Sequence, residues 1–177
     1  MALLHLPGPC RHARKGENRS GIVQGRAGTA RLRERTMKVR EWMTPEPFTL
    51  TEGDRVKTAV QHLLSAGIRH VPVLRDNVLV GIVTDRDLRR ALPSVEAGAS
   101  PEKYQAFMEQ ATLGDIMTVD PVTCTPDMDV VDAVEIFVER KFGAIPVVDD
   151  GALVAILTQI DVMRALLSVL ERGTTRE

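Results

Sequence analysis

At 177 residues the chain has room for one domain or two small ones, and an apolar fraction of 44% suffices for a packed core. Aromatic residues make up only 3%, so Val, Ile, Leu and Ala must fill that core, and a net charge of −1 excludes a strong pull toward nucleic acid or membrane. No apolar run approaches the roughly 20 residues of a membrane span, and two cysteines without a CxxC or Cys/His cluster argue against a zinc site or disulfide framework and fit a reducing cytoplasm.

Residues 1–36 come first. They hold eight Lys/Arg against two Asp/Glu, which leaves 15 against 22 in the remainder, so a basic tail precedes an acidic body. Pro7, Gly8 and Pro9 break the only apolar run before it can form a secretory signal. The Arg- and Gly-rich stretch that follows has no helical or strand periodicity and is expected to be disordered. Without aromatic stacking residues it makes a poor nucleic-acid arm. An alternative places the true start at Met37.

From Met43 onward the chain repeats itself. A displacement of 74 residues lays "WMTPEPFTLTEGDRVKTAV" on "IMTVDPVTCTPDMDVVDAV" without a gap, and "GIVTDRDLRRAL" on "AILTQIDVMRAL". Met43/Met117, Thr44/Thr118, Pro47/Pro121, Thr49/Thr123, Thr51/Thr125, Pro72/Pro146, Val73/Val147, Thr84/Thr158 and Asp87/Asp161 are identical pairs. Two copies are too few for an open solenoid, so a pair burying each other's apolar faces is expected.

Each copy opens with a short extended segment, "FTL" or "VTC". A helix follows. Val56, Ala59, Val60, Leu63 and Leu64 keep the spacing of one buried stripe, and Val130, Ala133, Val134, Phe137 and Val138 repeat it. Thr125 before Pro126 has the pattern of an N-cap with proline at the first helical position, and Gly67 and Gly143 stand where the helices should end. Two strand-like runs surround a turn, with Asp150-Gly151 a strong hairpin signal, and a second helix closes the unit. Between the copies, Ser100 and Pro101 can cap and open a short helix bearing Tyr104, Phe107 and Met108 on one side. The expected organisation is a first repeat over 37–92, a linker with a short helix over 93–111, a second repeat over 112–170, and a polar tail over 171–177.

This β-α-β-β-α order, with "MT" before the first strand, "RHVPV" and "AIPVV" in the middle and "GIVTDRD" before the last helix, closely resembles a pair of CBS motifs, the tandem called a Bateman module. The segment between the repeats is similar to that of stand-alone bacterial CBS proteins, including those linked to acetoin utilisation. The resemblance implies an α/β (α+β) fold of two β-α-β-β-α repeats related by a pseudo-two-fold axis. It also implies a regulatory module that binds adenosyl effectors (AMP, ADP, ATP, NAD or S-adenosylmethionine), assembles as a homodimer and signals to a regulated partner protein, with no cofactor required.

The residues can carry that chemistry. Thr84 and Asp87 stand at the mouth of the second helix, where free N–H groups suit a phosphate. Asp87 can accept from a ribose diol and Thr84 can donate to an oxygen. The same spacing is also that of a capping box, and the two roles can coexist. Arg69 and His70 precede Val71-Pro72, where the resemblance implies basic groups facing phosphates. Arg86, Arg89 and Arg90 lie on a helix surface, where such side chains are more often solvated. By the resemblance each site is composite, so Thr84, Asp87, Arg69 and His70 should face Thr125, Val130, Phe142 and Gly143. The reciprocal, weaker site pairs Thr158 and Asp161 with Thr51, Val56 and Ile68. It lacks phosphate cations because Arg69-His70 become Gly143-Ala144 and Arg86 becomes Ile160.

An enzyme is not indicated: there is no G-x-S-x-G, no Walker loop and no nucleophile–base pair, and Cys124 sits in a strand-like run where it is expected to pack rather than react. The alternative to a sensor is a structural homodimerisation module with vestigial pockets.

Overall fold

The computed structural model describes residues 37–93 and 100–174; the readings made for residues 1–36 and for the linker residues 94–99 lie outside it. The elements run β1 (Thr44–Pro45), β2 (Leu50–Thr51), α1 (Val56–Ala66), β3 (His70–Arg75), β4 (Val78–Thr84), α2 (Asp85–Ala91), α3 (Pro101–Gln110), β5 (Thr118–Val119), α4 (Val130–Arg140), β6 (Ala144–Asp149), β7 (Ala152–Thr158) and α5 (Gln159–Thr174). The α/β architecture of two repeats is the one expected. α5 runs on to Thr174, through the stretch expected to begin a polar tail.

The hairpins β3–β4 and β6–β7 turn on Asp76-Asn77 (φ 50 and 64) and Asp150-Gly151 (φ 47 and 83). Left-handed backbone at both central residues twists the strands in the direction a hairpin needs. Each hairpin carries a β-bulge at the same place, between Val73 and Leu74 and between Val147 and Val148. β2 pairs parallel to β3, and in the second copy this pairing shrinks to one bridge, Cys124 to Val147.

The copies exchange their lead-in segments. β1, which precedes the first copy, pairs with β7 of the second (Thr44↔Ile156, Pro45↔Ala155). β5, which precedes the second copy, pairs with β4 of the first (Ile82↔Thr118, Gly81↔Val119). The sheets therefore read β1-β7-β6 and β2-β3-β4-β5. Side chains follow the backbone. Val39 is fully buried in the cluster of Phe137, Ile145, Val147 and Leu157, whereas Leu113 is fully buried in the cluster of Val56, Leu63, Val71 and Val83.

The exchange also caps the long helices. The first N–H groups of a helix have no intrahelical partner. Val56 N–H donates to the Ala111 carbonyl at 3.0 Å, and Val130 N–H donates to the Met37 carbonyl at 2.8 Å. This corrects the expected cap at Thr125: α4 starts at Val130 after Asp129, and Thr125-Pro126 forms a turn closed by Met128 N–H to the Thr125 carbonyl at 3.1 Å. Gly67 does end α1 with φ 64, but α4 ends on Lys141, φ 56, rather than on Gly143. α3 is capped as expected, Ser100 Oγ accepting from Lys103 N–H. The helical stripes are narrower than the sequence suggested, since Leu64 and Val138, equivalent positions of the two copies, are 80% and 69% exposed.

Candidate functional site

The Thr-x-x-Asp spacing forms the same reciprocal cap twice. Asp87 Oδ2 accepts from Thr84 N–H at 2.9 Å and from the Thr84 hydroxyl at 2.6 Å, while Thr84 Oγ1 accepts from Asp87 N–H at 3.2 Å. At Thr158 and Asp161 the three distances are 2.9, 2.6 and 3.3 Å. The surroundings differ. Asp87 is half-buried, with Oδ1 outside these bonds. Asp161 is 3% exposed, and its Oδ1 accepts from Arg164 at 3.2 Å. The carboxylate of the second copy is thus satisfied within its own helix.

Asp87 opens into a cleft of about 500 Å³ between the repeats. The first copy contributes His70, Thr84, Asp87, Arg86 and Arg90; the second contributes Phe142, Gly143, Arg140 and Lys141; the crossing segment before it adds Thr118, Asp120 and Val122. Of the residues expected at the main site, Thr84, Asp87, His70, Phe142 and Gly143 come together here. Arg69, Thr125 and Val130 do not line this cleft. Arg69 lies on a separate cavity of about 440 Å³ between α1 and α2, with Leu64, Ile68 and Leu88. Thr125 is exposed ahead of its turn, and Val130 is buried in the first turn of α4.

Of the reciprocal set, Thr158 and Asp161 open α5, Val56 is fully buried in the first core, and Ile68 lies on the α1–α2 cavity. Thr51 is exposed, its N–H and hydroxyl donating to Asp54 Oδ2 at 2.6 and 3.0 Å.

Sequence reasoning missed Arg140, Lys141, Thr118 and Asp120 and set Arg86 and Arg90 aside as solvated. The signal for Lys141 was present, because the two-copy register places it opposite Gly67 and so marks a charge added at a helix end.

The electrostatics of the cleft are mixed. Burial pushes the His70 imidazole below its ordinary value; Asp85 and Asp87 pull it up and Arg69 pushes it down further. The ring is therefore neutral at neutral pH, a hydrogen-bonding group rather than the cation the sequence allowed. The N-terminus of α2 is not free either: Asp85 N–H donates to the Arg69 carbonyl at 3.1 Å and Asp87 N–H to Thr84. Side chains can hold an anion in the cleft. Arg86, Arg90, Arg140 and Lys141 can do so, as none forms a salt bridge with a described residue. Phe142 offers an apolar ring beside them.

Among the described residues no group of His, Cys, Asp or Glu is placed to hold a metal ion. Cys124 is 2% exposed, and burial pushes its thiol up to about 11, the opposite of a reactive thiolate. No described helix is long and apolar enough to cross a membrane.

Known proteins share this arrangement. The CBS domain family matches residues 39–94 and 113–168. The A-adding tRNA nucleotidyltransferase of Aquifex aeolicus is 34% identical over 77% of this chain, which spans 15% of that enzyme. A CBS domain-containing protein of Dictyostelium discoideum is 32% identical over 75% of this chain and 93% of its own length. Among solved structures, CBSX2 of Arabidopsis thaliana in complex with AMP superposes with a TM-score of 0.62 at 31% identity, covering 75% of this chain and 97% of that one. The AcuB-type acetoin utilization protein of Vibrio cholerae gives 0.66 at 28% identity, covering 81% and 99%. The CBS pair of protein MJ0100, bound to 5′-methylthioadenosine and S-adenosylmethionine, gives 0.63 at 25%, covering 76% and 98%. Two matched segments, each built as the same β-α-β-β-α unit and joined by exchanged lead-in strands, make this chain a member of the CBS-domain family, with its two domains in tandem.

Proposed function

We propose that the chain is a sensor module that binds an adenosyl ligand in the cleft between its two CBS domains and passes the bound state to a partner protein. The observation that carries this reading is the composition of the cleft. Asp87 presents a carboxylate oxygen not used by its cap, suited to a ribose diol; Phe142 offers a face for a base; cations that form no salt bridge with a described residue come from both repeats. A ligand spanning them would tie the copies together. The AMP complex of CBSX2 and the S-adenosylmethionine complex of MJ0100 support an adenosyl effector in general. The module itself carries no catalytic role in this reading. The matched enzymes share only a fraction of their length with it, 15% in the tRNA nucleotidyltransferase and 24% in a homoserine O-acetyltransferase of Methanococcoides burtonii.

Thermal shift against AMP, ADP, ATP, NAD and S-adenosylmethionine tests it. A ligand at 100 times its Kd should stabilise the chain by about 2.7 kcal/mol. No shift with any of the five would leave the second reading, a homodimerisation module with vestigial sites. That reading has its own support in α5, where Ile160, Met163 and Leu167 are each 56% exposed along one side. The two are compatible if the ligand-bound form is the dimer.

A further inference from the structure

The part of the cleft wall that carries Phe142 has no strand ladder to hold it. Lys141, Phe142 and Gly143 join α4 to β6 and belong to neither, and Gly143 lies hard against the His70 ring in front. From behind, this backbone is held by one residue of α5. Gln159 N–H donates to the Gly143 carbonyl at 3.2 Å, and Gln159 Nε2 donates to the Phe142 carbonyl at 2.8 Å. Two consecutive carbonyls of the wall are thus tied to the first residue of the helix. Gln159 itself is exposed and does not line the cleft.

The first copy has only half of this tie. In the 74-residue register Gln159 stands opposite Asp85, and Phe142-Gly143 opposite Ile68-Arg69. Asp85 N–H donates to the Arg69 carbonyl at 3.1 Å, as Gln159 N–H does to Gly143. The Asp85 carboxylate has no N–H to offer the Ile68 carbonyl, and it pairs with Arg89 instead. The backbone bond therefore belongs to the repeat, whereas the side-chain bond exists only behind Phe142. For the helix alone an acid would serve better at this place, because a carboxylate in the first turn favours the dipole. The glutamine gives up that gain and supplies a donor. Ordering a long exposed amide also costs rotamer freedom, so the bond adds little to stability. Its effect is on where the wall stands.

We infer that Gln159 is a positioning residue for the ligand: it fixes the Phe142 backbone so that the ring is set in advance as the surface against which the base lies. This role rests on the reading of the cleft as an adenosyl site. Isothermal titration of the full chain with adenosine and with AMP tests it, alongside melting curves, for the parent, Gln159→Glu, Gln159→Lys, Phe142→Ala and Phe142→Ala with Gln159→Glu. Gln159→Glu keeps the size and loses the donor. It should melt at or above the parent, since the new charge favours the dipole, and bind each ligand about fivefold more weakly. Gln159→Lys regains a donor but opposes the dipole. It should melt below the parent and yet keep most of the adenosine affinity. In the Phe142→Ala chain, Gln159→Glu should cost no further affinity, because the ring through which it acts is gone. Affinities that follow the melting temperatures would make Gln159 merely structural. Unchanged affinity in Gln159→Glu, or the same loss with and without the Phe142 ring, would overturn the positioning role and leave the adenosyl site standing. A parent chain that binds neither ligand would overturn both.

Discussion

His70 and Gly143 meet across the boundary between the two repeats so closely that a methyl group on the glycine would lie 2.5 Å from the imidazole Nε2 and 2.9 Å from Cε1. Their counterparts in the opposite copies are Ala144 and Arg69, so the ring-over-glycine contact occurs once. Gly143→Ala must therefore turn the ring or shift the loop, at about 1–2 kcal/mol. With His70→Ala already in place the same substitution should cost far less. Chemical denaturation of the two single variants and the double variant measures the coupling, and strict additivity would show that the contact does not matter.

The two aspartates should part company. Asp87→Ala removes a half-exposed cap at about 1 kcal/mol and weakens adenosyl ligands by roughly tenfold, since it leaves the ribose without its acceptor. Asp161→Ala should do the reverse. It breaks a buried cap, costing about 1–2 kcal/mol, while the exposed Arg164 turns to solvent, and it leaves ligand affinity nearly unchanged. Titration and melting of both variants decide this, and equal affinity losses would mean that the sites are equivalent.

Because the lead-in segments are exchanged, each core depends on residues outside its own repeat. A chain that begins at Met37 keeps Val39 and the Met37 carbonyl that caps α4; a chain that begins at Thr44 loses both. The shorter chain should melt well below the longer one. Leu113→Ala should cost about 2–5 kcal/mol, as expected for a fully buried leucine, although it lies outside the domain whose core it fills. Matching melting temperatures for the two truncations would contradict the exchange.

Acid should weaken the His70 contact. The folded ring has a lowered pKa, so below about pH 6.5 the unfolded chain takes up its proton more readily and stability falls as pH drops through the folded value. The stability of the parent chain minus that of His70→Gln should therefore shrink between about pH 7.5 and about pH 5.5. An anionic ligand in the cleft would favour the protonated ring, so its binding should be accompanied by proton uptake. Calorimetry in buffers of different ionisation enthalpy reads that directly, and the absence of uptake would put the phosphates away from His70.

The exposed side of α5 predicts assembly. Ile160, Met163 and Leu167 follow i, i+3, i+7 spacing and remain more than half exposed. Sedimentation at micromolar concentration should show a homodimer, and Met163→Glu with Leu167→Glu should shift it toward monomer without lowering helix content. A monomeric parent, with and without nucleotide, would reject this.

The sequence by itself determined the repeat, its β-α-β-β-α order, the hairpin turns and the Thr-x-x-Asp caps, because each is a local pattern whose physics lies within a few residues. Asp-Gly turns, apolar periodicity and reciprocal capping need no partner to be read. The tertiary structure decided what depends on long-range pairing. Nothing local tells Val39 to enter the core of the second copy or Leu113 that of the first; the backbone carbonyls of the exchanged segments choose where α1 and α4 begin, over the equally plausible cap at Thr125. Nor does a sequence say which of two adjacent basic residues faces a cleft. His70 begins β3 and turns toward the second repeat, while Arg69, one residue earlier, lines the α1–α2 cavity, as neighbours in extended chain do. Arg140 and Lys141 belong to no local motif and become part of the site only because the pairing of the repeats brings the end of α4 to the cleft that α2 also lines.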